Sequence, residues 1–228
     1  MTNALNPKRT ITELKELRAL TGNADGAQRV AWTDTWAKAR EWLNAKMSAL
    51  PVEHEVDEAG NAWFTLKGRS KKALLIGGHM DSVPNGGWLD GCLNVLAGVE
   101  VLRRIAGEGT PPVTVRLVDW ADEEGARFGR SLFGSSCVSG AIEPKDVCEL
   151  VDRNGVTLPD ALAAYSVDVE KAKKAGRQLK HAAAYLELHI EQGPVLESVK
   201  KPMGVVLGTF GVERHAIRFT GQTAHSGS

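Results

Sequence analysis

The sequence predicts an α/β fold, a mixed and largely parallel sheet flanked by helices. A short apolar run, Ala73, Leu74, Leu75 and Ile76, is long enough for a buried strand. A helix-spaced stretch follows from about residue 92 to 105, with Val95, Leu96, Val99 and Leu102 on one face. Gly107 and Gly109 stop it, and Pro111-Pro112 leads into a second strand, VTVRLVDW. Strand, helix and strand over this length make a parallel crossover. Both strands also carry polar and acidic residues at their carboxyl ends, where ligands sit in α/β proteins.

Taken in order, residues 11–20 read as a short helix. Asp25 or Gly26 opens a longer one, with Trp32, Trp36, Ala39, Leu43, Met47 and Leu50 at helical spacing before Pro51 ends it. Residues 52–56 and Ala62–Leu66 form a hairpin around Ala59-Gly60-Asn61. His54-Glu55 lacks a second His four residues after the first, because Glu58 stands there, so it reads as a solvated strand pair. The first apolar strand stops at Gly77-Gly78 and delivers His79 and Asp81 into a loop holding Pro84, Asn85, Gly86 and Gly87.

Residues 135–182 are expected to be mostly helical and polar, loop-like over 139–145. VEKAKKAGRQLKH reads as a solvated helix face, with His181 at the surface. AAAYLELHIEQGP then forms another strand. Alternation places Leu186, Leu188 and Ile190 on one face and Glu187, His189 and Glu191 on the other. From Met203 the sequence is strand-like again.

At 228 residues and 43% hydrophobic content, the chain can bury a core. Its 28 basic and 28 acidic residues give no net charge, so nothing favours nucleic acid or an anionic membrane as partner. The N-terminus has no apolar signal core and no run approaches 18 apolar residues, which reads as soluble and unexported. Cys92, Cys137 and Cys148 form no CxxC pair and no disulfide framework, so a cytoplasmic setting is expected. Cys92 reads as a small buried hydrophobe. There is no GxSxG to support a serine nucleophile.

His79, Asp81 and Asp90 around one strand end, Asp122, Glu123 and Glu124 at the next, and His189 on a third strand together suggest a metal site. Imidazole and carboxylate bind zinc and similar metals where thiolates are absent. Asp90 is the natural bridge between two ions, with Gly91 letting the backbone bend. The Glu123-Glu124 pair suits a division between ligand and proton carrier.

Four blocks, GGHMDSVPNGGWLDG, DEEGARFG, LELHIEQGPVLES and GQTAHSG, resemble the hydantoinase/carbamoylase amidases in the same order. Those enzymes include N-carbamoyl-L-amino-acid hydrolases, allantoate amidohydrolases and β-ureidopropionases, within the di-zinc aminoacylase and carboxypeptidase superfamily. The resemblance implies a di-zinc aminopeptidase-like catalytic domain over residues 1–207. Residues 208–228 would begin an inserted α+β lid and dimerisation domain. It implies two divalent ions per intact subunit, zinc first, with manganese, cobalt or nickel also compatible.

On the same resemblance, His79, Asp90 and His189 hold one ion, Asp90 bridging, and Glu124 holds the second. Glu123 is the general base and Asp81 orients His79. Gln192 contacts substrate, and His225 steadies the oxyanion, reaching a partner subunit's site. The implied substrate is a small ureido acid, an N-carbamoyl amino acid or allantoate, cleaved to ammonia and carbon dioxide by a homodimer. Two departures are Asn94, where relatives usually have Gly, and Glu213, where many have Gln. The chain ends inside the last motif, short of a further ligand His and a carboxylate-gripping Arg, so a truncated and inactive product is expected. The alternatives are an aminoacylase or dipeptidase, which would release an acid, and a non-catalytic, metal-stabilised module.

Overall fold

The strand that carries His79 is an interior strand of a five-stranded sheet. β1 (Glu53–Val56) and β2 (Ala62–Leu66) form the expected antiparallel hairpin. β3 (Ser70–His79) and β4 (Val113–Trp120) run parallel, joined through α3 (Cys92–Ala106) as a crossover. β5 (Ala182–Leu186) lies parallel on the free side of β3 and gives the order β1-β2-β4-β3-β5. The mixed, flanked sheet is the architecture the sequence predicts. A computed structural model describes residues 4–209, 211, 215, 217 and 220–222.

Alternation along the strands divides the core in two. Ala62, Phe64, Leu66, Val115 and Leu117 share one cluster with Val95, Leu96, Val99 and Leu102 of α3, and with Leu14 and Leu17 of α1 (Pro7–Thr21). Trp63, Leu75 and Val118 belong to the other, with residues of α4 (Phe133–Ser139) and α5 (Leu158–Ala163). The helix α2 (Asp34–Met47) supplies both, through Trp36 on one side and Ala39, Leu43 and Met47 on the other.

Several expected boundaries differ. α1 begins at Pro7 rather than residue 11, where the Asn6 side chain accepts the N–H of Arg9 and Pro7 occupies the first turn. α2 begins at Asp34, not at residue 25 or 26. Trp32 takes a left-handed φ of 60°, and the Thr33 side chain caps the helix by accepting the N–H of Trp36. The residues before it bond to the loop after β3 instead: Ala27 and Gly86 exchange backbone hydrogen bonds, and Ser82 N–H donates to the Arg29 carbonyl at 3.0 Å. Trp32 is buried all the same, so its helical spacing was a coincidence of core contact.

β3 continues through Gly77 and Gly78 to His79, since the parallel ladder still pairs Gly78 with Asp119 and His79 with Trp120. Residues Val169–Leu179 form a helix of the 3-10 type, with Lys171, Lys173 and Lys174 on the solvated face the sequence predicts and His181 exposed beyond it. Val169, Ala172, Ala175 and Gln178 recur every third residue and are buried, which suits a three-residue turn. β5 stops at Leu186, short of His189, and Leu186 and Leu188 are 61% and 47% exposed rather than forming a buried face.

The chain divides into two compact units, Met1–Ile190 and Glu191–Ser228. In the second, Glu191 accepts the N–H groups of Val195 and Leu196 and starts the single-turn helix α6 (Val195–Ser198). The strands expected from Met203 are not present among the described residues. Also among the described residues, no helix is long and apolar enough to cross a membrane.

Candidate metal centre

Three strand ends and one helix start meet at this site. His79 closes β3, Glu123 and Glu124 follow β4 directly after Ala121 and Asp122, and His189 lies three residues beyond β5. Asp90 sits in the turn before α3. There Gly91, at a φ of 64°, is forced to be glycine, because a Cβ would lie 2.5 Å from the His79 ring.

The two imidazoles are prepared in the same way. His79 Nδ1 is 3.1 Å from the Asp81 carbonyl oxygen, and His189 Nδ1 is 2.7 Å from that of Ile190. A carbonyl can only accept, so each Nδ1 carries the proton and each Nε2 is the nitrogen left for another partner. Both Nε2 atoms converge on Asp90 Oδ1, His79 at 4.0 Å and His189 at 3.6 Å. Glu123 Oε2 lies 3.6 Å from His79 Nε2. One donor atom each from His79, Glu123 and Glu124 fall within 4.8 Å of one another, a group that could hold a metal ion. Glu123, expected as a proton carrier, is thus inside this donor cluster. Asp90 and His189 border it.

Asp81 does more than orient His79. Its carboxylate, 1% exposed, accepts the backbone N–H of Glu123 at 3.3 Å and of Glu124 at 3.1 Å, while Oδ1 lies 3.4 Å from His79 Nδ1. One buried carboxylate therefore fixes both neighbouring strand ends. Asp122 holds the turn from the other side: its Oδ2 accepts the indole N–H of Trp32 at 3.1 Å, and both residues take left-handed backbone angles.

The electrostatics call for a cation. Burial pushes the Glu123 and Glu124 carboxyls above their usual range, and takes Asp122, with help from the Asp81 charge, up to about 7. Burial alone would lower His79. The Asp81 hydrogen bond and charge, reinforced by Glu123 and Glu124, outweigh it and raise the imidazole to about 10. A proton on His79 thus stands where a divalent cation would neutralise the same acids. Imidazole nitrogens and carboxylate oxygens are the donor set that zinc and its neighbours accept, so the residues fit such an ion.

Some supporting residues gave no signal of a role in the sequence. Met80, between His79 and Asp81, has its N–H accepted by Asp119 at 2.8 Å and its carbonyl bonded by Arg29 Nε at 2.8 Å. Arg29 and Asp119 are both 0% exposed. Asp119 could have been noticed as an acid inside an apolar strand; Arg29 could not. Asn94, the departure noted above, donates its amide to Glu187 Oε1 at 2.7 Å. Gln192 is exposed in the second unit. His225 and Glu213 lie outside the described residues.

The sequence profile of peptidase family M20/M25/M40 matches residues 75–225, a span that contains every one of these site residues from His79 to His225. The chain belongs to this family. It is 32% identical to an N-carbamoyl-L-amino-acid amidohydrolase of Paenarthrobacter aurescens, over 95% of this chain and 53% of that protein. It is 34% identical to the allantoate amidohydrolase of Escherichia coli K12, over 90% of this chain and 50% of that one. The crystal structure of a hydantoinase/carbamoylase family amidase from Burkholderia ambifaria matches with a TM-score of 0.75 and 32% identity, over 86% of this chain and 48% of that one. Within the family, then, the likeness is to the hydantoinase/carbamoylase amidases, as the four sequence blocks suggested. The chain spans about half the length of the curated relatives it matches.

Proposed function

We propose that this chain carries the metal-binding part of an amidohydrolase that cleaves a carbon–nitrogen bond of an N-carbamoyl amino acid or allantoate. The observation that supports it best is the convergence of His79 and His189 Nε2 on Asp90 beside Glu123 and Glu124. Family membership implies divalent-metal dependence, and the activities of the relatives supply the substrate class.

In this reading His79, Asp90 and His189 would hold one divalent ion, and Glu124 together with Asp90 would hold a second. Bound there, such ions polarise a substrate carbonyl and acidify water. Glu123 takes a proton from the attacking water and delivers it to the departing nitrogen. Its half-buried, raised carboxyl suits a group that must both accept and give. Asp81 keeps His79 Nδ1 protonated and holds the Glu123 and Glu124 backbone still. Gln192 binds substrate, and His225 donates to the developing oxyanion. The released carbamate decays to ammonia and carbon dioxide. The working form is a cytoplasmic homodimer.

The test is ammonia release by the metal-loaded protein on an N-carbamoyl amino acid and on allantoate side by side. Release from either, lost in Glu123→Ala, supports the proposal and names the substrate. Cleavage of an N-acyl amino acid or dipeptide without ammonia would replace it with the aminoacylase or peptidase reading, which the wider peptidase family admits.

A further inference from the structure

The sheet does not place His189. β5 makes its last ladder pair between Leu186 and Ile76, and the three residues that follow have left the sheet by the time the chain reaches the imidazole. The His189 side chain is 42% exposed. Yet a ligand must be held within a fraction of an ångström, on a segment fixed by neighbours. Something other than backbone pairing has to fix this one.

Glu187, two residues before His189, is bound at both carboxylate oxygens. Oε1 accepts the Asn94 amide at 2.7 Å, and Oε2 accepts the Tyr185 hydroxyl at 2.6 Å. Tyr185 in turn accepts the indole N–H of Trp120 at 3.0 Å, and Trp120 is the ladder partner of His79. Burial and the Glu187 carboxylate hold the phenol far above its usual range, so it remains a donor.

Asn94 is itself fixed. It is 3% exposed in the first turn of α3, four residues after Asp90, and it lies flat on β3: a Cβ at Gly78 would stand 2.5 Å from its own Cβ. The amide therefore reaches across a glycine, one residue before His79, to grip the segment that carries the second histidine.

We infer that Asn94 and Glu187 are a positioning pair that sets His189 against Asp90. The pair ties the end of β5 to the helix that Asp90 precedes, as Asp81 ties the end of β3 to that of β4. Neither residue is a catalytic residue, because both act through His189. The inference rests on the proposed reading of His189 as a metal ligand.

The test is a double-mutant cycle on the full chain, read by cobalt(II) affinity in competition with a chelator and by the visible absorption of the bound cobalt. His189→Ala is expected to weaken binding and change the absorption; an unchanged affinity and spectrum would sink the ligand reading itself. Asn94→Ala removes no charge and is expected to weaken binding about 10–100-fold, with an altered spectrum. In the His189→Ala background it is expected to add nothing beyond about 2-fold. Wild-type binding by Asn94→Ala, with His189→Ala weakened, would overturn the positioning pair alone. So would a loss that persists undiminished without His189, the mark of a merely structural role. Thermal melts check folding; if Asn94→Ala does not fold, Tyr185→Phe, which removes the other tie to Glu187, carries the same cycle.

Discussion

Asp81 Oδ2 accepts the backbone N–H of Glu124 at 3.1 Å, joining the ends of two parallel strands 43 positions apart in the chain. With the companion bond to Glu123, this contact makes the spacing between imidazole and carboxylates a property of one buried side chain. Asp81→Ala is expected to lower divalent-metal affinity by about 10–100-fold, the usual effect of removing a group that orients a ligand. It also leaves two N–H groups unsatisfied, costing about 1–3 kcal/mol for each that remains buried. Chelator competition and urea melts measure the two effects separately.

The raised His79 gives metal binding a pH dependence of known sign. Its folded value of about 10 lies above the ordinary 6.5, so in the metal-free protein its protonation contributes stability that is fully present below 6.5. That contribution is lost as pH rises through about 10. A metal needs the neutral ring, so loading near neutrality is expected to release about one proton from His79, and affinity is expected to rise with pH. Calorimetric titrations in two buffers of different ionisation heat count the proton. Asp81→Asn, which removes the strongest group raising His79, is expected to release less.

Asp122 is raised too, from 3.8 to about 7, chiefly by burial. The stability tied to its bound proton is therefore full below 3.8 and lost as pH rises through about 7. Asp122→Asn keeps an acceptor for the Trp32 indole without the charge. In the metal-free protein it is expected to gain on the wild type between about pH 4 and pH 8. Urea midpoints at the two pH values decide; a constant difference would contradict the assignment.

Two glycines of the same loop region should behave oppositely. At Gly91, with a φ of 64°, a methyl group meets the His79 carbonyl at 2.4 Å and ring at 2.5 Å. Gly91→Ala is expected to cost about 1–3 kcal/mol in backbone strain alone and to displace the imidazole. At Gly87 nothing stands within 4 Å of an added Cβ, and Gly87→Ala is expected to stay within about 0.5 kcal/mol of wild type. Thermal melts and metal affinity of the pair separate a local clash from general loop sensitivity.

Much of this was legible in the chain itself. The strand–helix–strand crossover and the polar strand ends were readable because hydrophobic period and glycine position are local properties, and His79, Asp90, Glu123, Glu124 and His189 do gather at those ends. The start of α2 was not readable, because Trp32 and Trp36 keep a helical spacing although Trp32 reaches the core from a left-handed turn. The extent of β5 was misread because alternation continues past Leu186, while its hydrogen bonds do not. The ties made by Asp81, Asn94 with Glu187, and Arg29 with Asp119 around Met80 join residues some 40 to 90 positions apart. No spacing rule reports such pairs.

The central claim is that the place where His79 and His189 meet Asp90 is a divalent-cation site. The direct measurement is metal content after dialysis of the metal-free protein against zinc, for wild type and for His79→Ala with Asp90→Ala. The expected result is at least about one equivalent of zinc per wild-type chain and none retained by the double variant. A folded wild type that stays metal-free in excess zinc, or a double variant that binds as wild type does, would contradict it.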